Sequence, residues 1–143
     1  MLYVDTSAIV KRYVEETRSA EVRDCISQHR SIATATISRA ESAATFARAV
    51  RRGSLTEEAA RASHKQFVRE WKTYIRIRVT ESLVARADDV AWTFRLRGYD
   101  AVHLAAALEW HDRIAEPITL ATFDHDLWRA AGEAGLDRFP ASL

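Results

Sequence analysis

Four acidic residues are spread along the chain, each where a polar residue interrupts or ends an apolar segment. They are Asp5 in Leu-Tyr-Val-Asp-Thr-Ser, Glu41 in Ile-Ser-Arg-Ala-Glu-Ser, Asp100 in Arg-Gly-Tyr-Asp-Ala-Val-His-Leu, and Asp124 in Leu-Ala-Thr-Phe-Asp-His-Asp. Asp5 and Asp124 end strand-like runs, which is where an open α/β sheet gathers its ligands. Carboxylates collected at one such edge repel one another unless a hard cation sits among them. Oxygen-only ligands select Mg²⁺ or Mn²⁺ over zinc, and such ions keep waters and accept phosphate oxygens as further ligands. One or two ions held this way lower the pKa of a bound water and stabilise in-line attack on phosphorus, with no Ser or Cys nucleophile. The pattern points to a metal-dependent active site.

Each acid also has a plainer reading. Asp100 is placed to cap a helix beginning at Ala101, and Asp124 to cap the last helix, with Asp126 competing for that role. Glu41 forms a capping-box pattern with Ser38. Asp5 is the hardest to dismiss, because a carboxylate at the end of the opening strand lies at the sheet edge, where burial is costly without a partner.

The elements that must position these groups follow from periodicity and caps. Leu2–Asp5 reads as a buried strand, followed by a helix from about Ser7 to Glu16 capped by Thr6 or Ser7. A second helix spans Ser19–Gln28, and Ser31–Thr36 is a β-branched run. Ser38 is expected to cap a long helix to Arg52 that Gly53 stops, with Arg48, Arg51 and Arg52 at its negative end. Thr56 opens another helix ending near Thr73, and Tyr74–Val79, carrying Arg76 and Arg78, reads as an edge strand. Glu81–Leu96 is helical and Gly98 is expected to end it; Asp100–His111 is a strongly apolar helix. Ile118–Phe123 is a strand, Asp126–Glu133 a helix stopped by Gly135, and a last short strand includes Arg138 and Phe139. Strands separated by helices imply a parallel sheet covered on both faces, a three-layer α/β/α sandwich.

At 143 residues, with no repeat, low-complexity tract or linker, one domain spanning 1–143 is expected. Net charge is +1, so no global basic field announces nucleic acid. Cys25 is the only cysteine, which excludes an intrachain disulfide and a cysteine zinc site and leaves a buried structural thiol. No signal-peptide pattern or membrane-length apolar run is present, and a cytoplasmic location is expected. Trp71, Trp92, Trp110 and Trp128 all fall in helices, where packing is preferred to base stacking.

Among the basic residues, Lys11, Arg12, Arg39, Arg95 and Arg97 lie nearest the acids in sequence and are the candidate phosphate contacts. Arg48, Arg51 and Arg52 read rather as a solvated helix end. His103, one turn after Asp100, is either a proton shuttle or, the preferred reading, a structural imidazole satisfying nearby backbone.

The Val-Asp-Thr-Ser-Ala-Ile-Val opening, Ser-Arg-Ala-Glu, Arg-Gly-Tyr-Asp-Ala-Val-His-Leu-Ala-Ala-Ala and the late Thr-Phe-Asp resemble a PIN domain. More narrowly, they are similar to VapC-type toxin ribonucleases of type II toxin–antitoxin pairs, over essentially the whole chain and in the right order. The resemblance implies a helix-rich PIN fold with a five-stranded, mainly parallel sheet. It further implies Mg²⁺- or Mn²⁺-dependent RNA cleavage, a homodimer and inhibition by a cognate VapB-type antitoxin. Carried over by position, the family's metal-binding quartet falls on Asp5, Glu41, Asp100 and Asp124. Thr122 takes the small hydroxyl position before the last acid, where it would orient a metal-bound water. Ile9, Val10, Tyr13 and Val14 on the first helix are the expected self-complementary patch.

Two rival readings differ in class. A metal-dependent phosphatase would commonly carry a second acid two residues after Asp5, where Ser7 stands. A noncatalytic PIN-like module that binds RNA or scaffolds a partner would be marked by loss of an acid, and all four are present.

Overall fold

The computed structural model describes all 143 residues. The chain runs β1 (Leu2–Val4), α1 (Thr6–Tyr13), α2 (Ser19–Gln28), β2 (Ile32–Ala35), α3 (Ser38–Arg51), α4 (Glu57–Glu70) and β3 (Ile75–Ile77). It continues through α5 (Glu81–Phe94), α6 (Gly98–Ile114), β4 (Thr119–Ala121), α7 (His125–Glu133) and β5 (Asp137–Phe139). The five strands form one sheet in the order β3-β2-β1-β4-β5, and every pairing is parallel. This is the expected α/β/α sandwich.

Side-chain alternation along β1 divides the interior in two. Tyr3 faces a core built with Ala33, Leu120 and the apolar sides of α5, α6 and α7. Leu2 and Val4 face a second core with Ile9 of α1, Val22 of α2, and Phe67 and Trp71 at the end of α4. Strands buried on both faces read as continuous apolar runs, as β1 does. β3 lies at the sheet edge, and its Ile75 and Arg76 are exposed.

Several helix boundaries differ from the sequence reading for identifiable reasons. The cap of α1 is Asp5 rather than Thr6 or Ser7, its carboxylate accepting from the Ser7 N–H. Ser38 does not cap α3; it is buried, with its hydroxyl 2.6 Å from Thr34 Oγ1. Gly98 starts α6 instead of ending α5, which stops at Arg95 in the left-handed conformation (φ 57°). Asp100 therefore sits inside the first turn of α6 and is not its cap. Thr56 does cap α4, accepting from Ala59 N–H, and Gly53 and Gly135 take positive φ just beyond α3 and α7.

The expected dimer patch on α1 is partly consumed by the fold, Tyr13 and Val14 remaining half-buried. Ile9 is fully buried against the sheet, and Val10 packs with Phe46 and Ala60 while Tyr13 and Val14 lean on the same clusters. Of the tryptophans, Trp71 and Trp110 are core, Trp128 is half-buried with its indole N–H donating to Pro140 O, and Trp92 is 87% exposed. Trp92 thus departs from the packing role expected of it. No helix is long and apolar enough to cross a membrane.

Candidate active site

Strand order reverses direction between β1 and β4, so the crevice beyond their C-terminal ends is the topological switch point of the sheet. Asp5 follows β1 directly and Thr122 follows β4 directly. Parallel pairing of Val4 with Ala121 puts these two residues side by side. The Asp5 N–H donates to Ala121 O, which ties the two strand ends together at the crevice.

Asp5 is buried and tightly held. Its Oδ2 accepts from Ser7 Oγ at 2.6 Å and from Thr122 Oγ1 at 2.9 Å, besides the Ser7 N–H. Its Oδ1 lies 3.4 Å from His103 Nε2. Ser7 Oγ also accepts from the Phe123 N–H, and Thr122 Oγ1 from the Asp124 N–H. The two hydroxyls thereby lock the Asp5 carboxylate to the loop that carries Asp124. The buried Thr122 hydroxyl thus positions two acids, donating to Asp5 and accepting from the Asp124 N–H.

Glu41 reaches in from the first turn of α3. Its Oε2 accepts from Thr6 Oγ1 at 2.7 Å and from His103 Nε2 at 2.8 Å. Burial works against the Glu41 charge, but the hydrogen bond and charge of His103 and the Thr6 hydroxyl outweigh it and lower its pKa. His103 is 1% exposed, and its Nδ1 lies 3.0 Å from Tyr3 OH. Burial opposes its proton, yet the Asp5 charge, the Glu41 hydrogen bond and charge, and the Asp100 charge raise its pKa. The imidazole satisfies acids and a phenol, not the backbone assigned to it from sequence.

Asp100 and Asp124 complete the group from α6 and the start of α7. Asp124 Oδ1 caps α7 by accepting from the Asp126 and Leu127 N–H groups, so Asp126 is not the cap and its side chain is exposed. One guanidinium holds both acids: Arg97 Nε donates to Asp100 Oδ2 at 2.9 Å and Arg97 Nη2 to Asp124 Oδ2 at 2.5 Å. Burial and then the Asp124 charge push the Asp100 carboxyl above its ordinary value, and Arg97 offsets this only in part.

Asp5, Glu41, Asp100 and Asp124 all line one cleft of about 580 Å³. Lys11, Arg48 and Arg52 line it too. Arg48 and Arg52 are exposed at the end of α3, as expected of a solvated helix end, and face this cleft, while Arg12 is turned away and pairs with Glu70 at 2.8 Å. The donor set, four carboxylates without sulfur, suits a hard divalent cation. As the side chains stand, no three His, Cys, Asp or Glu groups converge as a ready metal cage. Glu41 is engaged by His103, and Asp100 and Asp124 by Arg97. Sequence reasoning missed Ser7 and undervalued His103. The one available signal was spacing: Ser7 two residues past Asp5, His103 three past Asp100.

A family profile described as PIN domain matches residues 2–133. Ribonuclease VapC45 of Mycobacterium tuberculosis (strain CDC 1551 / Oshkosh) is 29% identical over 144 residues, covering 100% of this chain and 97% of that protein. Among solved structures, M. tuberculosis VapC20, described as a sarcin-ricin loop cleaving toxin, aligns with a TM-score of 0.65 at 20% identity, covering 95% of this chain and 96% of that one. A toxin–antitoxin complex from Klebsiella pneumoniae aligns with a TM-score of 0.62 at 15% identity, covering 87% of each chain. At these identities the two structural likenesses speak for the fold.

Proposed function

The chain belongs to the PIN-domain family, and on that premise we propose that it is a ribonuclease serving as the toxin of a type II toxin–antitoxin pair. The observation that carries this reading is the convergence of Asp5, Glu41, Asp100 and Asp124 on one cleft at the C-terminal edge of β1 and β4. Full-length similarity to a protein named as a ribonuclease supports it, as does likeness in fold to a toxin–antitoxin complex.

In the proposed reaction a water oxygen forms a bond to phosphorus, the bond to a ribose oxygen breaks, and that oxygen leaves with a proton. Mg²⁺ or Mn²⁺, when bound by the four acids, supplies Lewis acidity and neutralises charge on the phosphate. The protein's own groups do the rest. Ser7 and Thr122 hold Asp5 in one orientation, and Thr6 and His103 do the same for Glu41. Glu41, kept ionised by these contacts, would serve the cation as an anionic ligand. Lys11, Arg48 and Arg52 at the cleft wall attract the RNA backbone without reading its sequence.

The proposed partner is a VapB-type antitoxin with a basic residue that competes for the carboxylates, since a guanidinium binds paired oxygens in the way a cation does. A cytoplasmic location accords with an RNA substrate. The homodimer implied by the resemblance stays a proposal, and the burial of Ile9 and Val10 takes those two residues out of its expected interface.

Single-stranded RNA incubated with the purified chain tests the reading. Cleavage is expected with Mg²⁺ or Mn²⁺, loss of cleavage with chelator, and recovery when metal is restored. In cells, the chain expressed alone should arrest growth and its operon neighbour should relieve the arrest. Chelator-resistant cleavage counts against the metal, and good tolerance of high expression counts against the toxin.

A further inference from the structure

Arg97 occupies an unusual place. It lies on the short connection between α5 and α6, where Arg95 in the left-handed conformation ends one helix and Gly98 begins the next. Its side chain is 72% exposed, yet its guanidinium is drawn down onto two of the four acids from different parts of the chain. Two donors of one fork serve two carboxylates: Nε serves Asp100 and Nη2 serves Asp124.

Asp124 makes the consequence sharp. Its Oδ1 is taken up by two backbone N–H groups at the start of α7, so Oδ2 is the oxygen it can offer to a cation. Arg97 Nη2 is on that oxygen. A divalent ion and Arg97 therefore compete for the same atom, and binding of one favours release of the other. A released Arg97 stays beside the acids on its short connection, with a planar fork suited to a phosphate.

We propose that Arg97 is an intramolecular counter-ion latch. It pairs Asp100 with Asp124 in the metal-free protein, competes with the divalent cation for them, and on release contacts the RNA phosphate drawn into the cleft. This rests on the reading of the acids as a metal site. It differs from inhibition by a partner because the competing guanidinium is the chain's own. Arg97 is also set apart from Arg48 and Arg52, which line the cleft without any hydrogen bond to the acids.

The test is Mn²⁺ binding, followed by the electron paramagnetic resonance signal of the free ion, in the wild-type chain and in Arg97→Gln, Arg97→Lys and Asp5→Asn. Arg97→Gln should bind Mn²⁺ about three- to tenfold more tightly than wild type, the range expected for losing exposed competing ion pairs. Arg97→Lys, with the charge but without the fork, should fall between them. Far-ultraviolet circular dichroism in chelator confirms that each variant is folded. Equal Mn²⁺ affinity in wild type and Arg97→Gln overturns the latch and leaves the metal site standing. Absence of Mn²⁺ binding to wild type, or full binding to Asp5→Asn, overturns the metal reading itself. At saturating Mn²⁺, Arg97→Gln should raise KM for RNA about three- to tenfold with little change in kcat. An unchanged KM overturns the phosphate contact.

Discussion

The two ends of α1 carry two polar clusters that look alike in composition and differ in balance. At the C-terminal end, Glu70 accepts from Arg12, Tyr13 OH and Gln66, and Tyr13 OH lies 3.1 Å from Tyr74 OH. One carboxylate there meets one permanent cation. At the N-terminal end, Asp5, Glu41, Asp100 and Asp124 meet one permanent cation, Arg97, and one imidazole, His103. The first cluster is a satisfied cross-brace between α1, α4 and the start of β3. The second is held together by groups that only partly compensate its charge, and the proposed cation would supply the rest. Its location follows the helix dipole, since acids gather at the positive N-terminal ends of α1, α3, α6 and α7.

The largest expected contrast comes from removing a single charge at each end. Asp5→Asn should lower RNA cleavage by about 10²- to 10³-fold, the scale seen when one preorganised electrostatic contact is lost. Its circular dichroism should be unchanged, because Ser7 and Thr122 can still donate to the remaining amide oxygen. Full activity in Asp5→Asn would remove Asp5 from the site. Glu70→Gln, at the other end, should leave cleavage within about twofold of wild type, as expected of a group remote from the reacting atoms.

Stability should separate the clusters next. His103→Ala strips the buried partner from Glu41 and Asp5 and should cost about 3–5 kcal/mol in chelator, read from urea unfolding. Tyr13→Phe in the other cluster should cost only about 1 kcal/mol, the net value of one hydrogen bond. A loss in His103→Ala no larger than that of Tyr13→Phe would mean the two clusters are equally well balanced.

A pH series sharpens the comparison from the balanced side. Burial works against the Glu70 charge, but Gln66, Tyr13 and Arg12 outweigh it and depress the folded-state pKa. A depressed carboxylate contributes stability that is whole above its unfolded value and is lost as pH falls through the lower folded value. The difference in stability between wild type and Glu70→Gln should therefore hold at neutral pH and shrink once pH drops below the ordinary glutamate range. A difference that grows on acidification would invert the assigned sign. The smallest effect is expected for Asp126→Asn: the side chain is exposed and Asp124 is the cap, so activity and melting temperature should both stay near wild type.

The order of elements and the parallel sheet were legible in the sequence because apolar runs and helical periodicity report burial directly. Helix starts were less legible. Asp5, Thr6 and Ser7 are all competent caps, and only the approach of Thr122 and His103 gives Asp5 its double role. Ser38 has the residue type of a cap, but the neighbouring Thr34 hydroxyl claims it. Gly98 has the type of a helix stop, but Arg95 takes the left-handed conformation first.

Residue types alone narrow the groups able to do chemistry to the four acids, beside a single cysteine in a helical stretch. A polar residue after a buried run also marks Asp5 as the end of the opening strand, whereas Asp124, read as ending a strand at Phe123, lies three residues beyond β4 and caps α7. Which of these groups meet is set by packing. His103 bridges Glu41 and Asp5 from 62 and 98 residues away, and Arg97, beside Asp100 in sequence, reaches Asp124 across 27. Local periodicity constrains the face on which a side chain lies, but contacts of that range are fixed by strand order and helix packing, which no window of sequence contains.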